Sequence, residues 1–168
     1  MSNDQLSMFE NDSDIANKAA TKPKTFSISL SRTISASSEK IFDRWLIATF
    51  AGKWMFGPHL GNEEVIELQN EVRPGGSFSY RIKRNGKEAL HEGEYLQIER
   101  PKRLCFSWNE ITQNARNESK ITLTLDPQDG KSKLKLSIQM DQHLQHYAEE
   151  IKQQWSTRLK ALSAQVGK

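Results

Sequence analysis

Large apolar side chains fall on alternate positions in short successive runs between Phe78 and Trp108. Phe78, Tyr80 and Ile82 come first, then Tyr95, then Leu104, Phe106 and Trp108. Neighbouring strand residues point to opposite faces of a sheet, so this spacing requires strands with one buried face. Several such strands followed by one long amphipathic helix predict a curved sheet that grips the helix. That arrangement tends to leave a space between sheet and helix, and the functional question becomes what fills it.

The rest of the chain fits the same plan. Phe26, Ile28 and Leu30 alternate with Ser27, Ser29 and Ser31, the pattern of a half-buried first strand. Ser37 or Ser38 then caps a helix, because a hydroxyl oxygen accepts a first-turn N–H that otherwise has no partner. Ile41, Phe42, Trp45 and Leu46 recur at helical spacing, and a second short helix is expected from Ala48 to Trp54, ended by Gly57-Pro58. Strands are expected at Val65 to Leu68, Ser77 to Lys83, Glu88 to Ile98, Leu104 to Trp108, Ser119 to Leu125 and Leu134 to Met140. Asn85-Gly86 marks a two-residue hairpin, whose central positions require positive φ. Asp129-Gly130 joins the last two strands, and Gly93 marks a bend or bulge. A final helix from about Leu144 to Gln165 carries Tyr147, Ile151, Trp155, Leu159 and Leu162 on one face. The fold class is α+β: a curved antiparallel sheet of about six to seven strands around a long C-terminal helix, with two short helices after the first strand.

Residues 1–23 are rich in Asn, Asp and Ser and read as a disordered tail, leaving 24–168 as one domain. No apolar run is long enough to cross a bilayer, so membrane insertion is not expected. Cys105 is the only cysteine and cannot form an internal disulfide, which favours a cytoplasmic setting. The basic residues Arg81, Lys83, Arg84 and Lys87, with Arg100, Lys102 and Arg103, read as solvated hairpin ends. Nucleic-acid binding would need stacking aromatics at the surface, and here the aromatics lie on the buried phase.

No catalytic signature stands out. His143 and His146 are three apart at the start of the last helix, a spacing that can share a metal, but no third ligand accompanies them, and no metal site is assigned. Neither is a cofactor. His91, beside Glu92 and Glu94, is in phase with Tyr95 and is the only candidate catalytic base. Cys105 falls out of phase with the apolar face and reads as a quiet strand residue. What remains is shape. Trp54, Phe78, Tyr80, Tyr95, Phe106 and Trp108, opposed by Tyr147, Ile151 and Trp155, are the candidate walls of an apolar pocket. Arg81, His91, Gln97 and Arg158 are its candidate polar groups. The alternative is that these aromatics pack together and fill the space.

The motifs that carry a family resemblance begin with Phe26 to Ile34 leading into Ser38-Glu39-Lys40-Ile41-Phe42. They continue with Lys53-Trp54-Met55-Phe56-Gly57-Pro58, Arg73-Pro74-Gly75-Gly76-Ser77-Phe78 and Gly93-Glu94-Tyr95-Leu96-Gln97-Ile98. Pro101-Lys102-Arg103-Leu104-Cys105-Phe106-Ser107-Trp108 follows, and then Trp155 with Leu159 and Leu162. Over residues 24 to 165 the chain resembles the domain homologous to the C-terminal part of the activator of heat-shock-protein-90 ATPase. That family belongs to the START-like (SRPBCC), helix-grip superfamily, with the birch pollen allergen, polyketide cyclases and lipid-transfer domains. Gln154 departs from the glycine that many relatives place before the helix tryptophan, and its side chain is expected to narrow the cavity.

Three functions follow as expectations. The first is a non-enzymatic domain whose apolar cavity binds a small hydrophobic or aromatic ligand. The second, which the resemblance implies, is a protein-interaction module with a chaperone-linked or stress-related role and a chaperone or other protein partner. The third is a polyketide-cyclase-like enzyme with His91 as base. A monomer or weak dimer is expected in each case.

Overall fold

A computed structural model describes residues 24–167; the expected tail, 1–23, lies outside the described residues. Seven antiparallel strands form one sheet in the order β1-β7-β6-β5-β4-β3-β2. They are β1 (Thr25–Ile34), β2 (Glu63–Asn70), β3 (Ser77–Arg84), β4 (Lys87–Glu99), β5 (Arg103–Ile111), β6 (Arg116–Gln128) and β7 (Lys131–Asp141). Two short helices, α1 (Ser38–Leu46) and α2 (Ala48–Met55), follow β1, and a 3-10 turn at Pro58–Leu60 leads into β2. A second 3-10 segment, Gln142–Tyr147, runs into the long helix α3 (Ala148–Val166).

The local chemistry accounts for these elements. Ser37 caps α1 by accepting the Lys40 N–H at 3.2 Å. Ser38 instead turns inward, and its hydroxyl meets that of Ser132 on β7 at 2.9 Å. The two hairpins at Asn85-Gly86 and Asp129-Gly130 hold both central residues at positive φ, as their right-handed strand twist requires. β2 departs from strict alternation. Its register slips between Val65 and Glu67, which changes the phase and leaves Val65 and Ile66 partly exposed on an edge strand.

Phe78, Tyr80, Ile82, Tyr95, Leu104, Phe106 and Trp108 all face the concave side and are buried there. Trp155, Leu159 and Leu162 of α3 pack into the same core. Cys105, out of phase with the concave face as its position in the strand predicts, is nevertheless buried. It lies on the opposite face, where Gln97 and Thr122 flank it across the ladder and the Thr122 hydroxyl donates to its sulfur at 3.5 Å. Arg84 is a correction, since it is half-buried and paired with Glu63 rather than solvated.

Gly93 pairs with Phe78 on β3 at a point where the backbone has no room to spare. A Cβ at Gly93 would run into the Ser107 carbonyl and the Phe78 ring. Gly93→Ala is therefore expected to lower stability by about 1–3 kcal/mol, the usual cost of overpacking. Urea unfolding checks this, and an unchanged midpoint would show that the strand yields without strain.

Candidate functional site

The space between sheet and helix is divided in two. In one half, Trp45 lies edge-on to Trp54 with ring centres 4.5 Å apart, and Phe78 packs against Tyr80 and Tyr95 at 5.0 and 5.5 Å. Asn70 ties this group to the backbone by donating to the Tyr95 hydroxyl at 3.0 Å and to the Leu46 carbonyl at 2.6 Å. Burial pushes the phenols of Tyr80 and Tyr95 up, so both stay protonated donors. The gap left among Trp45, Met55, Phe78, Tyr80, Tyr95 and Phe106 is about 10 Å³, room for at most one water-sized sphere.

The other half is open. A cavity of about 450 Å³ lies between the start of α3 and the ends of β5, β6 and β7. Its apolar walls are Trp108, Ile138, Met140, Leu144, Ile151 and Trp155, and Tyr147, His143, His146 and Gln154 stand at its rim. A groove of comparable volume, about 520 Å³, crosses the convex face of the sheet. It is lined by Ser29, Ser31, Thr122, Thr124 and Lys135 with Leu30 and Leu136, and no buried polar group lines it. The concave cavity is the better-built site.

The sequence-derived pocket residues therefore divide. Trp108, Tyr147, Ile151 and Trp155 line the cavity. Trp54, Phe78, Tyr80, Tyr95 and Phe106 lie in the packed half, because their rings contact one another and α1 and α2 fill what remains. The proposed polar suppliers divide as well. Arg158 lines the cavity and His91 lies just behind it. Arg81 pairs with Glu67 on the surface, and Gln97 accepts from Arg103 there. Around His143, whose Nδ1 lies 2.7 Å from Asp141, no group of three metal-ligating side chains occurs among the described residues.

Sequence reading missed a buried charged cluster beside the cavity. Glu63, at the start of β2, is 5% exposed and receives two bonds from Arg84, at 2.6 and 2.9 Å. Arg84 also donates to Glu110 at 3.0 Å. Burial opposes the charge on Arg84, but the bond to Glu63 and the field of Glu110 outweigh it and raise the guanidinium above its ordinary value. Strand pairing was a signal for the cluster: Glu63 and Arg84 are direct cross-strand partners, which becomes visible once the β2–β3 register is known. Glu110 enters from β5 on the same face as Trp108.

Arg158 and His91 complete the cluster. Arg158, 3% exposed, donates through Nε to the Met55 carbonyl at 2.8 Å and lies 4.6 Å over the Trp155 ring. Burial lowers it to about 10, against the pull of Glu63 and Glu110, so it is charged at neutral pH. His91 is fully buried, 5.0 Å from both Phe56 and Trp108, and its Nε2 is 3.7 Å from Glu110. Neither ring nitrogen has a hydrogen bond among the described residues. Burial above all, with the positive fields of Arg158 and Arg84, holds His91 well below the ordinary 6.5, so its ring is neutral. It is not among the residues lining the cavity.

The family model described as "Activator of Hsp90 ATPase homolog 1-like protein" matches residues 35–167. The chain belongs to this family. Solved structures similar to it include a protein from Chromobacterium violaceum with 21% identity, TM-score 0.73, covering 84% of this chain and 97% of that one. A Rhodobacter sphaeroides protein has 17% identity and TM-score 0.72, covering 83% and 90%. One from Rhizobium loti has 18% identity and TM-score 0.71, covering 86% and 99%. At these identities the likeness shows the START-like helix-grip fold alone. No curated protein matches the chain. Membership in the Hsp90-activator homologue family supports a ligand-binding or regulatory domain. No helix among the described residues is long and apolar enough to cross a membrane.

Two outcomes follow from the buried cluster. Arg84→Leu leaves Glu63 without its cation and is expected to cost about 3 kcal/mol, read from denaturant unfolding. His91 generates a pH dependence whose sign is fixed. Unfolded chains take up the His91 proton near 6.5 while the folded state refuses it, so stability falls as pH drops below about 6.5, by about 1.4 kcal/mol per unit. The loss continues until the depressed folded value is reached. His91→Phe is expected to flatten that part of the stability–pH curve, and an unchanged slope would assign it to other groups.

Proposed function

We propose that this domain is a non-enzymatic binding module that holds a small hydrophobic or aromatic molecule in the cavity between α3 and strands β5 to β7. The observation that carries this reading is the cavity itself. It occupies about 450 Å³ in an interior whose other half is filled by aromatic rings. Its size falls within the usual range for small-molecule sites, roughly 300–1,000 Å³. Trp108 and Trp155 present ring surface, and Ile138, Met140, Leu144 and Ile151 present aliphatic surface, so the gain on binding is apolar burial with aromatic contact. A cyclase-type reaction would need its base beside the substrate, whereas His91 is fully buried and does not line the cavity.

Native mass spectrometry of the protein purified gently from its own cell extract tests this reading. A reproducible added mass is expected, and it should be lost in Ile151→Trp, which fills the cavity from a half-buried position on α3. A bare chain that also takes up no apolar fluorescent probe would overturn the proposal and shift weight to the family's chaperone link.

A further inference from the structure

We propose that the molecule bound in this cavity is electrically neutral and carries a carboxamide-type head that accepts from Arg158 and donates to Glu110. This inference rests on the binding role proposed above and names the chemistry of the same site. Arg158 is nearly sealed from solvent, yet its one hydrogen bond among the described residues is from Nε to Met55. Its two terminal nitrogens, which are strong, pre-oriented donors, have no acceptor there, and the residue forms part of the cavity wall. Trp155 and Trp108 hold the guanidinium plane at 4.6 and 5.7 Å, so it is positioned independently of any ligand.

Glu110 supplies the opposite half of the head-group site. One of its oxygens, Oε2, accepts from Arg84 and faces His91, while Oε1 has no hydrogen bond among the described residues. Glu110 also lines the cavity, two residues beyond Trp108 on the same face of β5. A ligand lying against Trp108 and Trp155 therefore meets a donor and an acceptor together.

Charge decides between a carboxamide and a carboxylate. Arg84 and Arg158 are balanced by Glu63 and Glu110, His91 adds no charge because its ring is neutral, and Glu118 and Glu150 on the cavity lining add negative charge. An anion would bring an unbalanced charge into this buried group and set it against Glu110, at a desolvation cost a neutral head avoids. A purely apolar ligand would leave the Arg158 donors without partners.

Three probes of one shape separate these cases: 2-naphthamide, 2-naphthoate and 2-methylnaphthalene. Their binding to the full chain is followed at pH 8 by quenching of tryptophan fluorescence and by calorimetry. The amide is expected to bind about tenfold or more tighter than either other probe, the size expected of hydrogen bonds to charged groups. Arg158→Leu is expected to bring the ratio of amide to hydrocarbon affinity close to one. Glu110→Gln is expected to raise naphthoate affinity relative to the amide. Naphthoate binding tightest to the wild type would overturn the proposal in favour of a carboxylate ligand. Equal affinity for amide and hydrocarbon would overturn it while leaving the apolar cavity reading intact. If none of the three binds, the cavity reading falls and this inference falls with it. The wild-type order stands alone should a variant fail to fold.

Discussion

The placement of Trp155 organises the interior. Its ring stacks on Trp45 with centres 6.2 Å apart and meets Trp108 edge-on at 5.4 Å, so α1, α3 and β5 are joined at one point. On the α1 side the remaining volume is taken by Trp54, Phe106, Phe78 and the tyrosines. On the other side, at and just before the start of α3, Ile151 is only half-buried and Tyr147 is well exposed. A curved sheet has more concave surface than one helix can cover. The wedge at Trp155 determines which part of that surface is sealed and which is left as a cavity.

The polar cluster follows from the same geometry. Closing the sheet edge brings β2 beside β3 and sets Glu63 against Arg84, and the inward phase of β5 and β4 carries Glu110 and His91 to the same place. Buried charges are costly unless paired and hydrogen-bonded. Arg84 satisfies this by bridging two carboxylates. Arg158 has a backbone carbonyl and aromatic faces instead, which hold a guanidinium without saturating it. The asymmetry between the two arginines is a property of position. Arg84 ends β3, where it meets Glu63 of the adjacent β2 and reaches past β4 to Glu110 of β5, whereas Arg158 comes from the helix into a wall of rings.

Much of the fold was legible because each strand carried its own alternation and each tight turn its own residues. Phe78 to Trp108 gave the concave face, Asn85-Gly86 and Asp129-Gly130 gave two hairpins, and Trp155, Leu159 and Leu162 gave the gripping face of α3. The candidate site was less legible, for a physical reason. Periodicity reports which face a residue takes, not whether the space facing it is occupied. Phe78 and Trp108 share a phase, yet one contacts the packed half and the other borders the cavity. Arg84 and Glu63 were obscure because a charged residue at a strand end reads as solvated until the strand opposite is known. The bulge between Val65 and Glu67 hid that strand's phase.

The division of the interior also separates what holds the fold from what can set specificity. Residues of the filled half contact several elements each, so changing one alters packing that α1, α2 and the sheet share. Around the open half Ile151 is only half-buried, and exchanging it for another apolar side chain reshapes the cavity at less cost than exchanging Ile138 or Met140, which belong to the core. The fold itself is kept at low identity, as the likeness to the Chromobacterium violaceum protein at 21% identity shows. Arg158 and Glu110 lie at the boundary between the two halves. Arg158 is held by the Met55 carbonyl and Glu110 by Arg84, and both line the cavity, where under the proposed reading they would be its fixed polar pair.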